Sequence, residues 1–147
     1  MTYMNREDRR TSIIEAAAAI MLKDGIAAAT VRGVAKTLDS SPGQIHHHFA
    51  SADALRAEAF RLLWGKLTAD LGERLAKLPP RERLIAALIG DTAFYEGAFG
   101  RLWNEALAAP SAAPLLKEAL GEAIQEWMDV LARAIKEGTD TGKFCIK

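Results

Sequence analysis

Apolar positions in this chain recur every three or four residues, and turn-forming residues cut that rhythm into seven helical stretches. In the first, Ile13, Ala17 and Met21 step by four beside Ile14, Ala18 and Leu22. This predicts a helix from about Arg6 to Lys23, ended by Asp24-Gly25. Thr30 is placed to cap a short second helix from Val31 to Thr37, with Val34, Ala35 and Leu38 inward. After Asp39-Ser40, the run Ser41-Pro42-Gly43-Gln44 reads as a capping box, with serine as N-cap, proline at the first helical position and glutamine at the third. The third helix it opens reaches only to about His48. Ser51 caps a fourth, from Ala52 to about Lys77, whose seam holds Leu55, Leu62, Leu63, Leu67, Leu71 and Leu75 before Pro79-Pro80. A fifth is expected from Arg81 to about Glu96 and a sixth from Arg101 to Leu107, divided by Gly97 and Gly100. Leu116, Leu120, Ile124, Trp127, Leu131 and Ile135 mark an amphipathic seventh that Gly138 ends, with a loose tail beyond.

Composition strengthens this all-α reading. The chain has 28 Ala and 17 Leu against 3 Val, and Ala and Leu lose little entropy in a helix. Its 147 residues suffice for an ordinary core, since a chain of this size buries roughly 70% of its unfolded surface. A single cysteine, Cys145, excludes an intrachain disulfide and a cysteine-rich metal site. The longest apolar run, Ala16 to Leu22, is far short of the ~20 residues that cross a bilayer. The opening Asn5-Arg6-Glu7-Asp8-Arg9-Arg10 lacks the form of a signal peptide, so a cytoplasmic protein without membrane contact is expected. With 19 Lys+Arg against 19 Asp+Glu, attraction for a polyanion has to be local.

The informative stretch is Thr30 to Phe49, two short helices joined by a tight turn, which is a helix-turn-helix arrangement. At about 100° per residue, Ile45 and Phe49 share the face that packs on Val34, Ala35 and Leu38. Gly43, Gln44, His46 and His47 spread over the outer arc. Gln44 suits an adenine edge in the major groove, and His46 and His47 reach phosphate, base or thymine methyl. Free backbone N–H groups at the helix start favour a phosphate. Consecutive histidines point about 100° apart on a helix and do not converge on one metal ion. Nothing resembles a nucleophile with its base, so no enzyme is expected. Arg6, Arg9 and Arg10 admit two readings, an arm reaching phosphates or a solvated helix start beside Glu7 and Asp8. So do the aromatics Phe60, Trp64, Phe94, Tyr95, Phe99, Trp103 and Trp127: plain core packing, or an apolar cavity between helices.

At Arg10-Thr11-Ser12-Ile13-Ile14-Glu15-Ala16-Ala17, Gly25, Thr30-Val31-Arg32-Gly33-Val34-Ala35, Ser41 to Phe49 and Ser51-Ala52-Asp53-Ala54-Leu55, the chain resembles the N-terminal domain of the TetR family of transcriptional regulators. The resemblance covers roughly the first sixty residues. It implies a three-helix DNA-binding head over 1–50 and a helical ligand-binding and dimerisation body over 51–147. Thr30 and Arg32 would face DNA from the second helix, and Ser41, Pro42, Gly43, Gln44, His46 and His47 from the recognition helix. Trp64, Phe94, Phe99, Trp103 and Trp127 would line an effector pocket. The implied function is a ligand-responsive repressor that binds an inverted repeat in double-stranded DNA as a homodimer, with a small apolar effector and no cofactor or metal. In that scheme the effector shifts the fourth helix and changes the separation of the two heads. The alternative is a shortened relative that binds DNA weakly and serves as a small-molecule-binding or interaction protein.

Three positions depart from the family pattern. Asp39 stands where the turn usually has glycine, and Asp tolerates a left-handed backbone better than most residues. His46 replaces a common tyrosine. Ala52 replaces a frequent lysine, which lowers the expected salt slope of DNA binding by about one unit. Asp140-Thr141-Gly142-Lys143-Phe144 resembles the loop after the family's seventh helix, so the usual last two helices are expected to be lacking and apolar residues of the fifth and seventh to be exposed. Protonation of His46 to His48 below about pH 6.5 is expected to strengthen DNA binding.

Overall fold

The computed structural model describes residues 5–89 and 97–144. Its helices are α1 (Arg6–Asp24), α2 (Val31–Thr37), α3 (Pro42–His46), α4 (Ala52–Ala76), α5 (Pro80–Ile89), α6 (Ala98–Leu107) and α7 (Pro114–Asp140), with a 3-10 turn at Ile26–Ala28. No strand occurs among the described residues, and the all-α class holds.

Local side-chain chemistry starts the first four helices. Asn5 accepts from the Asp8 N–H (2.8 Å), Thr30 from Gly33 (3.0 Å), Ser41 from Gln44 (3.3 Å) and Ser51 from Ala54 (3.1 Å). Each bond satisfies one of the four N–H groups that a helix start leaves open. The capping box at Ser41 is only half formed, because the Gln44 carbonyl oxygen is taken by Ser40 and Arg9 instead. α3 also stops at His46 rather than His48. The N–H groups of His48 and Phe49 both donate to the Ile45 carbonyl at 3.0 Å, tightening the chain so that the Phe49 ring is buried.

One continuous apolar cluster runs through the molecule. Ile13, Ala17 and Met21 of α1, Val34 of α2, Ile45 of α3 and Leu55 of α4 are fully enclosed. α4 packs on α1 and on α7, carrying the cluster through Phe60, Leu63 and Trp64 to Leu102, Leu116 and Leu120. α1 ends at Gly25, whose φ of +96° suits glycine; an added Cβ would stand 2.8 Å from Glu105 Oε1 and push that carboxylate aside.

The later helices depart further from expectation. α5 is described to Ile89, and its expected continuation to Glu96 lies outside the described residues. α6 begins at Ala98, three residues before Arg101. α7 passes Gly138 and ends at Asp140. Gly138 serves a close approach instead, since a Cβ there would meet the Phe144 ring at 1.8 Å. The Lys143 and Phe144 N–H groups donate to the Gly138 carbonyl (2.8 and 3.0 Å), so the chain as far as Phe144 folds back on α7 rather than trailing as a loose tail. The buried seam of α7 runs through Leu116, Ala119, Leu120, Ala123, Ala134 and Gly138, and two residues of the expected seam, Ile124 and Ile135, are exposed. Small residues at 119, 123 and 134 let α4 and α5 come close, which turns the helix away from its bulkier stripe. No helix among the described residues is long and apolar enough to cross a membrane.

Candidate nucleic-acid interface

α2 and α3 pack through Val34, Ala35, Ile45 and Phe49, all buried, with Leu38 partly buried beside them. That fixes the outward face. Thr30, Arg32, Ser41, Pro42, Gly43, Gln44, His46 and His47 are all exposed, so the structure brings the eight positions together on the outer side of one helix pair. The turn between the helices has Asp39 at φ +48°, the left-handed conformation for which glycine is the usual residue. The Ser40 N–H closes the turn on the Ala35 carbonyl at 2.9 Å.

Arg9 and Arg10 are neither an extended arm nor merely solvated, whereas Arg6 is exposed at the first position of α1. Arg9 Nη2 donates to Ser40 Oγ (3.1 Å) and to Gln44 Oε1 (3.0 Å), and Ser40 Oγ donates to the same Gln44 oxygen at 2.6 Å. The Arg10 guanidinium lies 4.9 Å from the centre of the Phe49 ring and 3.4 Å from a Glu58 oxygen. Periodicity gives no sign of a partnership between residues 35 apart, so the sequence could not show that Arg9 touches Gln44.

His48 differs from its two neighbours. It is half-buried behind α3, and its pKa lies below the ordinary histidine value, first because burial disfavours the charged ring and then because Arg6, Arg10, Arg9 and His47 add positive field. The expectation that all three histidines ionise near their reference value is therefore corrected for His48.

The body grips the segment that leads into α2. Arg56 of α4 donates to the Ala29 and Ala27 carbonyls (3.0 and 3.1 Å). Arg101 of α6 donates to the Leu22 carbonyl at 2.6 Å, and Glu105 accepts from the Ile26 N–H at 2.6 Å.

The aromatic residues of the body are closely packed. Trp64 stacks on Trp103 with centroids 5.1 Å apart and meets Trp127 edge-on at 6.5 Å. Its Nε1–H donates to Glu126 at 2.9 Å. The space left among Trp64, Phe99, Trp103 and their neighbours is about 10 Å³, enough for one water at most. Phe94 lies outside the described residues. A larger groove of about 430 Å³ opens between α4 and α7, lined by Thr68, Leu71, Leu75, Trp127, Asp129 and Arg133 among others. Among the described residues expected to line a pocket, only Trp127 borders it. Asp129 and Arg133 form a polar part of its wall.

A buried helix pair with a polar outer face, braced by a preceding helix, defines a helix-turn-helix protein. Residues 13–59 match the family model described as bacterial regulatory proteins, tetR family, so the head is similar to the N-terminal domain of that family. Over 82 residues the chain is 37% identical to the HTH-type transcriptional regulator BetI of Rhizobium meliloti (strain 1021), a match that covers 55% of this chain and 40% of that relative. The chain thus spans about two fifths of that relative's length. A longer match, 28% identical over 142 residues, joins it to the HTH-type transcriptional repressor KstR2 of Rhodococcus jostii (strain RHA1), covering 91% of this chain and 69% of the relative. Among solved structures, a TetR-family transcriptional regulator from Cytophaga hutchinsonii has the same fold, with a TM-score of 0.73 at 24% identity over 95% of this chain and 73% of the other.

Proposed function

We propose that this protein is a DNA-binding transcriptional regulator that acts in the cytoplasm as a homodimeric, ligand-responsive repressor. The observation that carries this reading is the α2–α3 platform, in which buried Val34 and Ile45 hold eight exposed residues on one outer surface. On it, α3 enters the major groove with Gln44, His46 and His47 toward base edges, while Thr30, Arg32 and the Ser41–Gly43 turn lie against the backbone. The division into a head over 1–50 and a body over 51–147 belongs to the same reading and is supported by the new cap at Ser51.

Repression is supported by the likeness to a relative named as a repressor. Pairing of two chains across an inverted repeat is supported by the apolar side chains left exposed on α5 and α7, Ile85, Leu88, Ile124, Met128 and Ile135. The groove of about 430 Å³ between α4 and α7 has room for an effector. A ligand there bears on α4, and α4 holds the entry to α2 through Arg56.

Fluorescence anisotropy on duplexes from the region upstream of the protein's own gene, titrated with salt, tests the proposal. One duplex is expected to bind at least about 10³-fold more tightly than scrambled DNA. Arg32→Ala is expected to weaken binding and lower the salt slope by about one. Equal, weak affinity for every sequence would sink the reading.

A further inference from the structure

An arginine offers hydrogen-bond donors only. The Gln44 atom that faces Arg9 Nη2 at 3.0 Å is therefore its oxygen, and the amide orientation is fixed by chemistry. That oxygen also accepts from Ser40 Oγ at 2.6 Å, and Ser40 in turn accepts from the same Arg9 nitrogen at 3.1 Å. A carbonyl oxygen has two lone pairs, and here both are occupied. The Gln44 amide nitrogen has no protein partner among the described residues, and the side chain is exposed.

This arrangement bears on which base the residue can read. Pairing with adenine needs both halves of the amide, the oxygen accepting from N6 and the nitrogen donating to N7. With its oxygen turned inward, Gln44 presents N–H donors alone. Guanine offers two acceptors, N7 and O6, on the same edge, whereas adenine sets its own N6–H₂ donor against the incoming N–H.

We propose that Arg9 and Ser40 make Gln44 a donor-only reader that selects guanine over adenine at the base it faces, so that Arg9 is a positioning residue for sequence specificity. The inference rests on the DNA-binding reading above, and it replaces the adenine edge expected from glutamine alone.

The test is selection of duplexes from a randomised pool by the full chain, with sequencing of the enriched DNA. The wild type is expected to enrich guanine over adenine about tenfold at one position of each half-site, and Gln44→Ala to level that position. Arg9→Ala is expected to move the guanine-to-adenine ratio there about tenfold toward adenine while other positions keep their preferences. Loss of a phosphate-seeking charge would instead weaken all sequences together. Ser40→Ala removes one donor without changing charge and is expected to shift the ratio in the same direction, which covers the case in which Arg9→Ala folds poorly. Adenine enriched by the wild type at the Gln44-dependent position overturns the proposal. So does a position-wise profile unmoved by Gln44→Ala, or a ratio unchanged in the folded Arg9→Ala and Ser40→Ala proteins. Failure of the wild type to enrich any sequence has a different signature and overturns the DNA-binding reading together with this one.

Discussion

The head and the body are ordered by different means. In the head, the starts of α1, α2 and α3 are each capped by a side chain three residues before the N–H it serves, and the large apolar side chains point inward. In the body, α6 and α7 begin without a side-chain cap of their own. The α7 start is served from α4, where the Asp53 carboxylate accepts from the Leu115 and Leu116 N–H groups (2.9 and 3.1 Å). Arg61 binds Glu122 through two nitrogens, raising the arginine's pKa and lowering the carboxylate's, and Arg83 reaches both the end of α4 and Glu137. All the large apolar residues exposed among the described positions lie in α5, α6 and α7. Both regions use contacts between distant residues, Arg9 with Gln44 in the head among them, but only the body leaves large apolar side chains exposed among the described residues.

The sharpest way to break that comparison is to shave one methyl-rich side chain from each region. Ile45 is fully enclosed at the centre of the head, so Ile45→Ala is expected to cost about 2–5 kcal/mol in urea unfolding, the usual penalty for a cavity. Ile124 is 40% exposed on α7, and Ile124→Ala is expected to fall within about 0.5 kcal/mol of the wild type. Equal losses at the two positions would mean that the α7 stripe is buried in solution, and the contrast between the regions would collapse.

The same contrast explains what could be read from the sequence. The caps at Thr30, Ser41 and Ser51, the glycine at 25, the inward set of Val34, Ala35, Ile45 and Phe49 and the tolerance of Asp39 for a left-handed turn are local features, and each occurs where expected. The missed features are relations between residues far apart. Gln44 has the right spacing to complete a capping box, but Arg9, 35 residues earlier, takes its oxygen. Gly138 looked like a helix end because glycine usually is one there; what decided its place was the Phe144 ring. In α7 the expected seam holds at Leu116 and Leu120, but farther along alanines at 123 and 134 set the face that meets its neighbours, leaving Ile124 and Ile135 exposed. Aromatic residues in a bundle suit a core as well as a pocket, and only the ring positions show Trp64, Phe99 and Trp103 filling the space among them.

A middle-sized effect is expected where the two regions join. Glu105→Ala leaves the buried Ile26 N–H without its carboxylate, at an expected cost of about 1–2 kcal/mol. Hydrogen exchange should locate the change at the 3-10 turn and the start of α2, with α3 protected as before. If exchange rises uniformly over the chain instead, Glu105 is a general stabiliser rather than a tie between α6 and the head.

The smallest expected effect is electrostatic and confined to the head. His48 has a lower pKa in the folded chain than in the unfolded one, because burial and the charges of Arg6, Arg10, Arg9 and His47 oppose a second positive charge. Between the folded value and the unfolded value near 6.5, the unfolded chain binds more protons, so stability rises with pH across that window. The contribution is fully present above the unfolded pKa and is lost as pH falls toward the folded one. His48→Gln, which cannot titrate, should therefore show a shallower fall in Tm than the wild type from pH 7 to mildly acidic pH, while the carboxylate-driven loss at lower pH remains common to both. DNA phosphates would act on His48 in the opposite direction, favouring its charged form, so binding near pH 6 should take up a fraction of a proton that His48→Gln does not. Parallel Tm profiles for the two proteins would show that His48 binds protons alike in the folded and unfolded chain, against a lowered pKa, and equal proton uptake on binding would show that DNA leaves its charge unchanged.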